Sequence, residues 1–152
     1  MNISEYIKNV ELVRSKILDE TEKIVMSNED KITNLNIIKI QKGIGSDSQL
    51  LRNKNDKFKG VYSLATQLLN SSKTAGTEYT FIETGDFVSN FQLEISTDLT
   101  KLTIFSTGEG SGLKKSFFDG YSNLYGLTPE DQSILNYEII YPELMSFIKQ
   151  YL

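Results

Sequence analysis

The chain has no cysteine, no histidine and no tryptophan, and only two prolines among its 152 residues. Each absence removes a class of chemistry. Without cysteine there is no disulfide framework, no thiol nucleophile, no thiolate-held zinc and no iron–sulfur cluster. Without histidine, the commonest general base and the commonest transition-metal ligand are missing. An excess of positive charge is lacking as well: 20 acidic residues stand against 16 basic ones, for a formal net charge of -4. The only adjacent basic pair is Lys114-Lys115. A protein that neutralises nucleic-acid phosphates needs a basic stripe, and this chain has none, so sequence-specific nucleic-acid binding is not expected. Apolar runs such as Ile37-Ile38 and Ile139-Ile140-Tyr141 fall far short of the ~20 residues a membrane span needs. The opening Met1-Asn2-Ile3-Ser4-Glu5 has neither the basic nor the apolar region of a secretory leader. The expectation is a soluble chain, used in a reducing or redox-neutral compartment, with no membrane partner and no cofactor.

What is present suits a single domain over residues 1–152. Hydrophobic residues make up 39% of the chain and aromatic ones 11%. A domain of this length buries roughly two thirds of the surface its unfolded chain exposes, without help from metal or disulfide. The strongest periodic signal lies at the start. Ile3, Ile7, Val10, Val13, Ile17 and Ile24 recur at three- and four-residue steps, which predicts an N-terminal helix within residues 1–27 with one apolar face. Asn2 and Glu5 have the spacing of a capping box. Ser27-Asn28-Glu29-Asp30 reads as a turn, and Ile32 to Ile44 shows no clean period and reads as mostly extended. Residues 43–60 are polar and flanked by glycine, an extended loop. Ser63 has the position of a cap for a short helix from Leu64 to Leu69.

A β region follows. Glu78 to Ile82 has strand-forming residues, and Phe91, Leu93 and Ile95 alternate with polar neighbours as a half-buried strand does. Leu102 to Ser106 reads as the returning strand of an antiparallel hairpin. Residues 106–123 form a second extended loop with a glycine cluster, and an aromatic stretch of Phe117, Phe118, Tyr121 and Tyr125 runs from its end. Thr128-Pro129-Glu130-Asp131 announces a helix running to about Ile139. Pro142 then starts another, with Leu144, Ile148 and Tyr151 on its apolar face.

Few of these features carry chemistry. The cluster Gly108 to Gly112 before Lys114-Lys115-Ser116 has the wrong spacing for a phosphate loop or a dinucleotide fingerprint. Asp47, Asp56, Glu83, Asp86 and Asp119 are loop carboxylates, but no window has the alternation of a calcium loop. Ser63 and Ser116 lack the context of a nucleophile. No catalytic set and no metal set emerges, and the chain does not read as an enzyme. The corner Thr84-Gly85-Asp86-Phe87 is more informative. Thr84 can accept from amides two or three residues on, Gly85 eases a tight turn, and Asp86 adds charge at the start of a helical turn. Phe87 and Phe91, four apart, can stack on one face.

Three stretches together resemble a family of tailed-phage virion proteins. They are Gln41-Lys42-Gly43-Ile44-Gly45-Ser46-Asp47, then Tyr62-Ser63-Leu64-Ala65-Thr66, then Tyr79 to Phe91 with Thr84-Gly85-Asp86-Phe87 at its centre. Their order and spacing are similar to the virion morphogenesis, tail-completion or neck proteins of the head–tail junction. The ending Tyr125-Gly126-Leu127-Thr128-Pro129-Glu130 with Pro142-Glu143-Leu144 is similar to versions from crAss-like phages of gut Bacteroidetes. Gly45, Ser48, Phe81 and Asn90 depart from the family pattern.

This resemblance covers about residues 32–152. It implies an α+β fold with helices packed on an antiparallel sheet; joined to the periodicities above, the expectation is a long N-terminal helix and C-terminal helices on a small antiparallel sheet, with long irregular loops. It implies copies of the chain in a ring, between portal or adaptor proteins and the tail, and no catalysis. The location implied is the virion, after assembly in the host cytoplasm. Within that family the corner Thr84, Gly85, Asp86, Phe87 and Phe91 would serve structure and assembly. A different reading of the same residues is a small cytoplasmic adaptor or inhibitor that binds one protein through its N-terminal helix. A third is a hydrolase using loop carboxylates and a metal.

Overall fold

Asn2 and Glu5 open the fold. The Asn2 side chain accepts from the Glu5 amide and the Glu5 carboxylate accepts from the Asn2 amide, both at 2.9 Å. This reciprocal cap starts α1, Ile3–Ser27. The computed structural model describes residues 2–54, 60–82 and 85–152. The fold is α+β, with a long N-terminal helix, C-terminal helices and a two-stranded antiparallel sheet. Among the described residues no helix is long and apolar enough to cross a membrane.

The apolar stripe of α1 is only partly covered. Val13, Ile24 and Val25 are buried, whereas Ile3 is 81% exposed and Ile7 51%. The cover comes from the end of the chain, where α7, Tyr141–Lys149, packs against α1. The Asn9 side chain donates to the Tyr151 carbonyl at 2.7 Å. Residues 3–7 of α1 lie N-terminal to this anchor.

The expected turn at 27–30 shrinks to Asn28 alone. This buried side chain donates to the Ile24 carbonyl and to Glu143, and accepts from Lys31. Directly after it comes α2, Glu29–Gln41, where the sequence suggests an extended segment from Ile32 to Ile44. The reason is chemical. The buried positions of α2 are Ile32, Thr33, Asn36, Lys39 and Ile40, a helical spacing in which three of five residues are polar. The period is there, but hydrophobicity does not report it.

Lys39 is the unusual member of that face. Only 4% exposed, it donates to the Leu124 carbonyl at 3.0 Å. Burial pushes its ammonium down to about 8, against the opposing pull of the Asp131 and Asp47 carboxylates. Between that value and 10.5 the unfolded chain binds more protons than the folded one, so raising the pH through this window favours folding. Below it both states are charged and the whole penalty is present. Stability of the wild type relative to Lys39→Met should therefore rise by roughly 2 kcal/mol between about pH 7.5 and 9.5. Urea unfolding of both chains across that range checks this, and a constant difference would contradict it.

The hairpin forms as expected. In β1, Phe91–Ile95, and β2, Leu102–Ser106, Leu93 stands opposite Ile104 with both buried. Its turn is organised by Asp98, which accepts from the Ser96 hydroxyl and from the Thr100 hydroxyl and amide. These bonds, the Ser96 one first, hold the exposed carboxyl at about 2. The Glu29 carboxylate accepts from the Leu93 amide at 3.0 Å and ties α2 to β1. The strand expected at Glu78 to Ile82 does not form. A single bridge joins Val61 to Glu78, and Phe81, at φ 55°, takes a left-handed conformation that no ladder accommodates.

The loop expected over 106–123 is also more ordered than its glycines suggest. A 3₁₀ turn, Thr107–Glu109, follows β2, and α5 runs Leu113–Asp119. Phe118 and Tyr121, three apart, both turn inward. In the other long stretch, Leu51 is 1% exposed and the Asn53 side chain donates to the Phe117 carbonyl. Leu51 and Asn53 are thus held by their own chain.

At the C-terminal end Thr128 and Asp131 form a second capping box at the start of α6, Pro129–Ile134. No break occurs at Pro142. A π-helical segment, Leu135–Ile140, carries α6 into α7 without interruption, and the Tyr141 amide donates to the Asn136 carbonyl five residues back. A π turn is wider than an α turn and gives the proline ring room where the carbonyl four residues back would otherwise clash.

Two buried clusters result. Val25, Ile32, Leu93, Ile104, Leu127, Leu135 and Ile139 form the first. Ile40, Leu51, Phe87, Phe118, Tyr121 and Leu124 form the second. Phe91 packs against both.

Candidate functional site

The corner before β1 begins at Gly85, whose φ of 87° is a conformation only glycine adopts without strain. It caps a single helical turn, α4, Asp86–Ser89. The Ser89 hydroxyl donates back to the Gly85 carbonyl and the Asn90 side chain to the Asp86 carbonyl. Phe87 is buried and lies face to face with Phe118, ring centroids 4.3 Å apart. Phe91 meets Phe87 edge-on at 5.2 Å, the pairing expected from their spacing. Gly85, Asp86, Phe87 and Phe91 are thus brought together. Thr84 lies outside the described residues, as do Glu83 and Asp56.

The corner is sewn to the end of the hairpin. The Ser106 hydroxyl donates to the Phe87 carbonyl at 2.7 Å and accepts from the Gly108 amide at 3.1 Å. A Cβ on Gly108 would strike the Asp86 carbonyl and sit 2.9 Å from Phe87 Cα. Only glycine lets the two backbones approach this closely.

Beside the corner lies a cavity of about 330 Å³, walled by Tyr62, Tyr79, Phe81, Phe87, Phe117 and Phe118. Phe81 stands among these rings, 5.0 Å from Tyr121 and 6.1 Å from both Phe87 and Phe117. A bulky residue at positive φ costs roughly 1–3 kcal/mol. Ring contacts at about 0.5–1.5 kcal/mol each offset that cost. Among the described residues, the charged ones lining the cavity are Lys73 and Lys114. Lys73 donates to the Tyr62 hydroxyl at 3.0 Å and to the Ile82 carbonyl, with its ammonium 4.9 Å from the Tyr62 ring centre. Burial acts to raise the Tyr62 phenol, but the bonds from Thr80 and Lys73 outweigh it and bring it below its ordinary value.

One side of this cavity is formed by α3, Leu64–Leu69, through Thr66. Ser63 caps the helix by accepting from the Thr66 amide. Its leucines face outward: Leu68 is 79% exposed and Leu69 is 90%. The site is an aromatic cup with a cationic edge and an apolar ridge beside it. Such a cup suits an apolar or aromatic side chain with a carboxylate nearby.

Other polar groups serve the framework. The carboxylate of Glu109, a buried residue, accepts from the Tyr125 hydroxyl and the Lys115 ammonium, and Glu109 in turn raises the Lys115 ammonium. Asp119 stands 3.8 Å from Lys115. Asp47 accepts from the Asn123 side chain and the Gln49 amide, which keep its carboxyl below the usual range. Among the described residues no three acidic side chains converge as metal ligands would. The cavity itself escapes sequence inspection, because its walls come from residues 62–87 and 114–118, which show no shared pattern. The clustering of aromatics at 117, 118, 121 and 125 is the one available signal.

No protein-family model, no curated protein and no solved structure matches the chain.

Proposed function

We propose that this chain is a structural assembly protein that works by docking to copies of itself, as a ring component of the head–tail junction of a tailed phage. The observation that carries the self-docking part is the bare apolar surface at two separate places. The first turns of α1 leave Ile3, Tyr6, Ile7 and Val10 between 40% and 81% exposed, and the α3 ridge adds Leu64, Leu68 and Leu69 beside the aromatic cup. Scattered apolar side chains on a surface are ordinary, but grouped ones mark contact surfaces. The phage setting rests on the sequence resemblance around Gly43, Tyr62 and the Thr84–Phe91 corner. The absence of histidine and cysteine from the chain agrees with a role that involves no turnover.

Sedimentation velocity of the purified full chain over a wide concentration range tests the docking, and composition of purified particles from the source tests the setting. The expected result is concentration-dependent oligomers and presence of the chain in a symmetric layer at the portal vertex. A chain that stays monomeric and is absent from particles would be an adaptor acting through its N-terminal helix instead.

A further inference from the structure

Residues 60–82 leave the body of the protein and return to it as one excursion. Its neck is closed by the bridge between Val61 and Glu78 and by the Tyr79 amide, which donates to the Gly60 carbonyl at 2.9 Å. Inside, the Tyr62 amide donates to the Thr77 carbonyl, the Gly76 amide to the Tyr62 carbonyl and the Ala75 amide to the Gln67 side chain. The Lys73 ammonium and the Tyr62 hydroxyl bind Thr80 and Ile82 back onto the same unit. Among the described residues, every hydrogen bond of this stretch stays within it. Its helix α3 buries none of its residues.

We propose that residues 60–82 are a hinged flap, latched against the body by the ring of Phe81 and able to swing out as an intact unit. This goes beyond the self-docking reading and does not depend on it. The neck is the pivot: Gly60 lies tight against the Leu51 carbonyl and Gly43 against the Glu78 side chain. The latch is aromatic. Phe81 meets Phe87, Phe117, Phe118 and Tyr121 of the body at 5.0–6.3 Å, and Tyr79 meets Phe117 and Tyr121 at 6.3 and 6.4 Å. Closure holds Phe81 at φ 55°, a conformation it leaves when the ring is released, so backbone strain works against the latch. The seam is also incompletely packed. The cavity of about 330 Å³ lies along it, walled by Tyr62, Tyr79 and Phe81 from the flap and by Phe87, Phe117 and Phe118 from the body. A void forfeits the dispersion contacts that would fuse the two parts. Opening the flap widens this cavity.

The absence of native cysteine allows spin labels to be placed at will. One full-length chain carries Ala65→Cys on α3 and Glu94→Cys on β1. A control chain carries Glu94→Cys and Glu138→Cys, both on the body, and all three positions are exposed. Distances are measured by double electron–electron resonance, with and without Phe81→Ala. Each ring pair is worth a factor of roughly 2–10, so losing the four that Phe81 makes with the body should raise the open population about a hundredfold. That turns a minor state of about 1% into a major one. The expected result is a second, longer 65–94 distance in the alanine chain, an unchanged 94–138 distance, and a wild-type pattern in Phe81→Tyr, which keeps the ring. Hydrogen exchange of the Tyr62, Gly76 and Tyr79 amides should stay slow in Phe81→Ala, because their bonds travel with the flap. An unchanged 65–94 distance would overturn the latch, as would a Phe81→Tyr chain that opens like the alanine one. Loss of amide protection would mean that the excursion unfolds instead of hinging. A broadened 94–138 distance would make Phe81 a support of the core and likewise overturn the proposal.

Discussion

Phe87→Ala is expected to lower the stability of the chain by about 3–5 kcal/mol, the range for deleting a buried ring. The side chain is 4% exposed, stacked on Phe118 at 4.3 Å and set edge-on to Phe91 at 5.2 Å. Removing it leaves a void between α4, α5 and the start of β1. It also frees the ring of Phe91, which links the two clusters. Collapse into the void is resisted because the Phe87 carbonyl stays bonded to Ser106 and the backbone stays wedged against Gly108. Phe87→Leu retains part of the packing and should cost less than half as much. Urea denaturation of the three chains measures this. A loss under 1 kcal/mol for the alanine variant would mean that the corner does not organise the second cluster.

The second large effect concerns Asn36. Its side chain is fully buried, and neither its amide nitrogen nor its amide oxygen has a partner among the described residues. An unpaired buried polar group costs about 1–3 kcal/mol. Leucine is of similar size and needs no partner. Asn36→Leu should therefore raise stability by about 1–3 kcal/mol, seen as a higher urea midpoint with an unchanged slope. Asn36→Asp changes little in shape but adds a charge with no partner in sight. It should cost about 3–5 kcal/mol near neutral pH and recover as the pH falls and the carboxyl protonates. A stabilising Asp or a strongly destabilising Leu would show that this amide is satisfied after all. The position matters because Asn36 lies one helical turn from Ile32 in the first cluster and one from Ile40 in the second.

Elements set by neighbouring residues are legible in the sequence. Asn2 with Glu5 and Thr128 with Asp131 start helices through side chains that reach only three residues, and both boxes form. The hairpin is equally local, since alternation at Phe91, Leu93 and Ile95 and an Asp98 turn define it. Helix α2 is not legible, because Thr33, Asn36 and Lys39 occupy positions where the burial pattern invites apolar residues. A helix presses whatever it carries against the core, so hydrophobicity is an incomplete record of which face is inside. The strand expected near Phe81 fails for a different reason: ring contacts to residues 87, 117, 118 and 121 hold a backbone conformation that local preference opposes. Pro142 stays within a helix because the π segment before it removes the usual clash.

The amino-acid sequence by itself determined what chemistry is missing, where helices begin, and that the corner at Gly85 to Phe91 would bring two phenylalanines together. Those outcomes depend on residue type and on contacts a few positions apart. Only the tertiary structure decided that the apolar stripe of α1 is covered at Val13 and Ile24 and bare at Ile3 and Ile7, and that six rings from distant segments enclose one cavity. Burial is a property of what lies opposite a residue, and what lies opposite α1 is the C-terminal helix Tyr141–Lys149, with Tyr151 just beyond it holding Asn9.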